Sequence, residues 1–180
     1  MRIGIDISQA SYEGSGVSNF ILNLVRSMIR QDKSNEYVLF FSSLRGRVNK
    51  TLSRDLKDLG SPRVKLVSYP FPPSVLDLFW NKLHILPLEF FVGDVDIFLT
   101  SDWTEPPSIK AKKITILYDL IIYKNPEETD KKIIQTQKRR LKWVKKESKL
   151  VICISESTKE DAKKILGIEN ERLRVVYPGI

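Results

Sequence analysis

The chain has 180 residues, of which 42% are hydrophobic and 29% charged, a composition that is typical of one folded globular domain and excludes a disordered or fibrous protein. A net charge of +8 predicts an anionic partner, and a single cysteine, Cys153, excludes an internal disulfide and a cysteine-based metal site. With no long apolar run at the N-terminus, these features favour a cytoplasmic location.

Segments of β character alternate with helical patterns along the chain, which is typical of parallel βαβ units. Several strands are almost continuous apolar runs, as expected where helices cover both faces of a sheet. The sequence therefore predicts an α/β fold with a Rossmann-like, doubly wound, mostly parallel sheet of about seven strands. These strands are predicted near residues 2–8, 36–42, 64–69, 95–100, 113–118, 149–154 and 173–177.

The clearest predicted helix follows the first strand. Apolar residues from Val17 to Ile29 recur at helical spacing and form one continuous stripe, so this helix should pack on the sheet. A second helix is predicted over about 45–59, where leucines repeat at helical spacing before Gly60.

A bulky apolar stretch from Val75 to Phe91 predicts a third helix that Pro87 divides or kinks. The only histidine, His84, falls on this helical pattern, and we expect it to be structural. A hydrolytic triad is not expected, because no G-x-S-x-G motif occurs.

The end of the chain carries two more helical patterns. The first, over 131–149, is strongly basic, with seven Lys or Arg between Lys138 and Lys149. The second is short; Ser157 and Glu160 fit a capping box at its start, and Gly167 fits its C-terminal stop.

Ligands of parallel α/β sheets bind beyond the carboxyl ends of the strands, so residues just after each strand are the candidate site. After the first strand, Gly14 and Gly16 leave room for a ligand at the start of a helix, a geometry that favours phosphate. There is no third glycine, so the G-x-G-x-x-G dinucleotide motif is not met. A turn that only begins the helix is an equally good interpretation.

Three further strand ends carry polar residues. Asp102 and Trp103 follow the fourth strand and suit a sugar, although a loop carboxylate and a core tryptophan explain them slightly better. Tyr118 and Asp119 follow the fifth strand and suit a hydroxylated ligand. Ser155, which follows the sixth strand together with Glu156, is best explained as a helix cap.

Taken in order, these elements resemble the N-terminal domain of glycosyltransferase family 4, a group of retaining enzymes with two facing Rossmann-like domains, the GT-B fold. The matching pieces are RIGIDIS with GSGVSNFILNL, then VDIFLTS, ITILYDLIIYKNPE, VICISESTKEDAKKILGI and LRVVYPGI. The resemblance implies sugar transfer from a nucleotide-diphosphate sugar to a hydroxyl of a glycan or lipid-linked acceptor. It also implies one domain over 1–177, with 178–180 leading towards a C-terminal donor-binding domain that is absent here, so this chain alone should be inactive.

The resemblance also assigns roles to the residues at the strand ends. It implies no metal or other cofactor. Where the family usually has His-Asp-Leu after the fifth strand, this sequence has Tyr118-Asp119-Leu120, and tyrosine supplies no imidazole. The implied residues are Tyr118 and Asp119 for catalysis; Gly14, Ser15, Gly16 and Val17 for the donor diphosphate; and Asp102, Trp103, Ser155 and Glu156 for the acceptor.

Two alternatives remain open at this stage. The chain could be a stand-alone nucleotide- or nucleic-acid-binding module, although it lacks RNA-binding aromatic signatures and a helix-turn-helix, so no nucleic acid is expected. It could also be a non-catalytic relative, as Tyr118 suggests. The basic helix over 131–149 is compatible with peripheral docking on anionic lipid headgroups and equally with a solvated face.

Overall fold

The computed structural model describes residues 1–12, 14–44, 62–100 and 102–179. Within these ranges the strands are β1 (Arg2–Asp6), β2 (Glu36–Ser42), β3 (Val64–Tyr69), β4 (Ile97–Thr100), β5 (Lys112–Leu117), β6 (Leu150–Cys153) and β7 (Leu173–Val175). The helices are α1 (Gly16–Gln31), α2 (Pro73–Leu76, continued as a π-helix over Asp77–Lys82), α3 (Glu89–Val92), α4 (Ile121–Lys124), α5 (Lys131–Glu147) and α6 (Glu156–Asp161, continued as a π-helix over Ala162–Leu166). Short 3₁₀ turns cover Ser8–Ser11, Pro126–Glu128 and Asn170–Arg172.

The seven strands form one parallel sheet in the order β3-β2-β1-β4-β5-β6-β7. Each lies where the sequence predicts a strand, and the Rossmann-like α/β fold is confirmed. From β1 the chain first adds β2 and β3 on one side of the sheet. It then crosses back and adds β4 to β7 on the other side of β1, so the strand order reverses between β1 and β4. Such a reversal opens a crevice at the carboxyl ends of the strands, where ligands of this fold class bind.

Helices cover both faces of the sheet. On one face α1 packs against alternate residues of the strands, and its side chains Ile21, Val25 and Ile29 are fully buried. The opposite face carries α2 and α3 over β2 and β4, and α5 and α6 over β5 and β6. The predicted stripe of the first helix is thus confirmed.

The stretch predicted as a divided helix forms α2 and α3, separated by a turn over residues 83–88. The division at Pro87 is confirmed, but the placement of His84 on a helix is wrong. His84 and Leu86 have positive φ angles of 54° and 61°, which end the helix before Pro87.

The last helix begins two residues earlier than its capping-box pattern indicates. The cap is Ser155, whose hydroxyl accepts the Thr158 N–H at 3.1 Å, and not Ser157. Gly167 ends the helix with a left-handed φ of 63°, as predicted. The basic helix stops at Glu147, before Lys149. The helix predicted over about 45–59 lies outside the described residues.

Candidate functional site

A cavity of about 250 Å³ opens at the carboxyl ends of β4 and β5. It brings together four of the predicted site residues, Asp102, Trp103, Tyr118 and Asp119. The other wall comes from α5, which contributes Gln137 and Arg140 among its lining side chains. The cavity is therefore a cleft between two strand ends and the buried side of the basic helix.

The position of Asp102 in the cavity shifts the pKa of its carboxylate. Burial raises its pKa, the nearby Arg140 charge opposes this, and the Asp119 charge adds to it, leaving the pKa above its ordinary value. The loop is held by the Gln137 amide, which donates to the Asp102 carbonyl oxygen at 2.8 Å. Asp102 is thus a carboxylate of increased basicity on the cavity wall.

Tyr118 and Asp119 have structural contacts as well as positions on the cavity. The Tyr118 ring meets the ring of Phe20 on α1 edge to face, with centroids 5.5 Å apart. Asp119 is exposed, and its Oδ1 accepts the Ile121 N–H at 3.0 Å, which begins α4. The aromatic contact joins the end of β5 to the first turns of α1.

The Gly-Ser-Gly loop lies at the start of α1. Ser15 is the N-cap, and its hydroxyl accepts the Ser18 N–H at 3.2 Å. Gly14 has a φ of 81°, which favours glycine, whereas Gly16 has ordinary backbone angles. A Cβ built at either glycine meets no atom within 4 Å, so the loop faces open space. Val17 follows in the first turn of the helix.

Trp103 lies where three cavities meet. Besides the cavity with Asp102, it lines a cleft of about 390 Å³ between α2 and α5. It also lines a narrow space of about 20 Å³ that reaches Asp6 and Gln9 at the carboxyl end of β1. In the larger cleft Asp77 pairs with Arg139. The indole therefore lies between the strand-end cavity and a larger cleft.

Ser155 and Glu156 lie at the end of β6 and do not line the described cavity that holds Asp102. The Ser155 hydroxyl caps α6, and the side chain of Glu156 is 63% exposed, 3.9 Å from the Lys159 ammonium. Their predicted acceptor role stays a prediction.

Sequence reasoning missed Arg140, which is only 1% exposed although it lies in the most basic run of the chain. Its guanidinium donates to the Ile116 carbonyl oxygen at 3.0 Å and to the Gln137 side chain at 3.2 Å. Its charge acts on Asp102 and on Asp6, whose own pKa burial raises. The spacing could have revealed it, because residue 140 is four positions before buried Val144 and shares its helix face.

A second missed feature is a buried polar network behind the cavity, centred on Glu105, which is 0% exposed. The Lys113 ammonium lies 3.3 Å from Glu105 and 2.7 Å from Glu147, and it donates to the Pro106 carbonyl oxygen at 2.7 Å. Burial would raise the pKa of Glu147, but Lys113 and then His84 outweigh it, and the pKa lies below its ordinary value. The Glu105 carboxylate also accepts hydrogen bonds from the hydroxyls of Thr100 at 2.7 Å, Thr115 at 3.1 Å and Ser148 at 3.1 Å.

The network also fixes the loop that carries Trp103. Asn81 on α2 accepts the Glu105 N–H at 2.9 Å and donates to the Trp103 carbonyl oxygen at 2.9 Å. Its own carbonyl accepts the indole N–H of Trp143 on α5 at 2.7 Å. Asn81 thus ties α2, α5 and the loop after β4 together, which holds Trp103 between the two clefts.

Among the described residues, no three His, Cys, Asp or Glu side chains come together as metal ligands. No helix within the described ranges has both the length and the apolar character needed to cross a membrane.

Comparisons with known proteins place these features in context. A family model described as Glycosyltransferase Family 4 matches residues 14–180. No curated protein matches the chain. Among solved structures, the crystal structure of a short-chain dehydrogenase from Oenococcus oeni PSU-1 is similar over 97% of this chain and 72% of that chain, with 15% sequence identity and a TM-score of 0.40.

Proposed function

Because the chain belongs to glycosyltransferase family 4, we propose that it forms the acceptor-binding half of a retaining glycosyltransferase. The donor is a nucleotide-diphosphate sugar, and the acceptor is a hydroxyl of a glycan or a lipid-linked molecule. The observation that carries the proposal is the strand-end cavity, where Trp103, Asp102 and Asp119 line one space. An indole face packs against the C–H face of a sugar, while carboxylates accept hydrogen bonds from its hydroxyls.

In the proposed reaction an acceptor oxygen bonds to the anomeric carbon of the donor as the bond from that carbon to the diphosphate breaks, and the hydroxyl proton passes to the leaving diphosphate. The residues of this chain bind and orient the acceptor, and catalysis of this kind relies on positioning and charge stabilisation. The raised pKa of Asp102 makes its carboxylate a better hydrogen-bond acceptor for the attacking hydroxyl. Tyr118 and Asp119 lie on the same wall and would contact the transferred sugar.

The loop from Gly14 to Val17 would face the donor diphosphate. Support comes from the unpaired N–H groups at the start of the 16-residue helix α1 and from the open space at Gly16. The contact between Phe20 and Tyr118 places this helix start beside the end of β5. The positive groups that stabilise the leaving diphosphate would come mainly from a C-terminal domain, so the proposal requires no metal.

The proposal is tested by assaying this chain, and a longer protein that contains it with a second α/β domain, against a panel of nucleotide sugars and hydroxyl acceptors. We expect transfer only by the longer form. Failure of that form with every donor would overturn the enzyme proposal, and transfer by this chain alone would overturn the division of labour between the domains.

Two variants locate the acceptor site. We expect Trp103→Ala to raise the KM for the acceptor by roughly threefold to tenfold, the value of one aromatic packing contact. Asp102→Asn should lower kcat/KM, because the amide is a weaker acceptor for a hydroxyl proton. The matched control is Asp94→Asn, whose carboxylate is 83% exposed and lies before β4, at the opposite edge of the sheet. Equal losses in all three variants would contradict the assignment.

A further inference from the structure

The turn between α2 and α3 exposes three aliphatic side chains. Leu83 is 50% exposed, Ile85 46% and Leu86 40%. Leu86 adopts a positive φ of 61°, a conformation that is rare for a bulky residue and persists only where its surroundings enforce it. The turn therefore presents apolar groups to the outside from a backbone with an uncommon shape.

Hydrogen bonds from beneath fix that shape. The indole N–H of Trp80, which is 1% exposed, donates to the Leu86 carbonyl oxygen at 2.9 Å. The Ile85 N–H donates to the Phe79 carbonyl oxygen at 2.9 Å. Because the buried side of α2 holds the backbone, the exposed aliphatic groups are pre-organised and lose little freedom on binding.

His84 joins this turn to the basic helix. Its ring nitrogens lie 2.8 Å from the Trp80 carbonyl oxygen and 3.0 Å from the Glu147 carboxylate. Its ring stacks on Trp143 of α5, with centroids 3.5 Å apart and planes 7° from parallel. The turn and α5 thus form one continuous surface.

Two lysines border the same stacked pair. The ammonium groups of Lys142 and Lys146 lie 5.3 Å and 5.1 Å from the centre of the Trp143 ring. Both side chains are exposed, as is Lys82 at the end of α2. Cationic groups therefore lie beside the stacked rings that join the aliphatic turn to α5. We define Leu83, Ile85, Leu86, Lys142 and Lys146 as the docking patch.

We propose that the docking patch binds the surface of an anionic lipid bilayer. The three aliphatic side chains would enter the boundary between headgroups and acyl chains, and the two lysines would contact lipid phosphates. A nucleic acid offers phosphates but no apolar phase for aliphatic side chains, whereas a bilayer offers both. If the basic helix were only a solvated surface, the apolar turn that hydrogen bonds hold against it would have no explanation.

The docking patch is separate from the strand-end cavity, although both use α5. Arg140 faces the cavity from the buried side of that helix, and Lys142 and Lys146 lie on its exposed side. The membrane proposal therefore stands whether or not the chain takes part in sugar transfer. If both hold, docking would bring lipid-linked acceptors towards the cavity.

The experiment is co-sedimentation of the chain with phosphatidylcholine vesicles that contain or lack phosphatidylglycerol. We expect binding only to the anionic vesicles. Lys142→Glu/Lys146→Glu should weaken it by roughly thirtyfold or more, since each lysine near an anionic surface contributes about fivefold and the two glutamates add repulsion. Leu83→Ser/Ile85→Ser should also weaken binding to the anionic vesicles. The binding that remains should be electrostatic and should be abolished by high salt.

The matched control is Arg30→Glu/Lys33→Glu, which makes the same charge change at the end of α1, on the opposite face of the sheet. Binding by the control should match the unmodified chain, and thermal melts should show that all variants fold. Three results would overturn the proposal: no binding to anionic vesicles at low salt, equal losses in the patch and control variants, or unchanged binding by Leu83→Ser/Ile85→Ser. Binding to RNA in preference to vesicles would also reject it.

Discussion

Replacing Lys113 with Met removes the only ammonium group that the structure places against Glu105 within the described residues. Lys113 is 3% exposed and Glu105 is 0% exposed, so neither charge is screened by water. Breaking a buried pair by removing one partner costs about 3–5 kcal/mol, because the other charge stays buried without compensation. For a chain of this size each kcal/mol lowers Tm by about 2–4 °C, so we expect a fall of about 6–20 °C.

The assay is thermal unfolding of four chains: the unmodified protein, Lys113→Met, Glu105→Gln and the double variant. The double variant should be more stable than the two single losses predict, because it leaves no fully buried carboxylate at position 105 without a counter-charge. The control is Lys110→Met, which breaks the exposed pair of Lys110 and Asp94 at 3.9 Å and should change stability by about 0.5 kcal/mol or less. A loss in Lys113→Met no larger than in the control would refute this account of the network.

Three other predictions concern stability and reactivity. The Tyr37 hydroxyl, and then neighbouring N–H groups, lower the pKa of Asp32. The stability that the ionised Asp32 contributes is therefore present above its unfolded pKa of about 3.9 and is lost as the pH falls. Urea melts of Asp32→Asn should show a shallower loss of stability below that pH, and an unchanged slope would contradict this. Burial raises the pKa of Cys153 to about 11, so iodoacetamide at neutral pH should label it only when urea unfolds the chain, and rapid labelling of the folded chain would disprove its burial. Gly4→Ala should destabilise the protein by about 1–3 kcal/mol, because its Cβ would lie 2.5 Å from the buried Phe98 ring, and a neutral effect in a chemical melt would show that the ring can move.

The sequence by itself determined the elements of the fold. The alternation of β and helical patterns marked all seven strands within a few residues of their observed bounds, and several of them are almost continuously apolar because helices cover both faces of the sheet. The stripe of α1 and the stop at Gly167 were equally readable, because a helix face and a left-handed cap each depend on a few neighbouring residues. The ordered motif pieces also identified the family.

Only the tertiary structure decided what the strand ends share. The placement of β4 next to β1, and so the crevice between them, depends on pairing between distant segments that no local pattern encodes. Whether a charged side chain is buried also depends on distant segments of the chain. The basic run around Arg140 predicts a solvated side chain, yet its guanidinium is buried. The charges of Asp6 and Asp102 and a hydrogen bond to a backbone carbonyl compensate it there.

The helical pattern around His84 failed for a related reason. Its apolar neighbours continue at helical spacing, but contacts with Trp80, Trp143 and Glu147 hold the residue in a turn. Those contacts come from the preceding helix α2 and from the distant helix α5, and together they outweigh a weak local preference. Local patterns thus specified the segments of this protein, whereas its cavity, its buried charges and its exposed apolar turn arose from partners far apart in the chain.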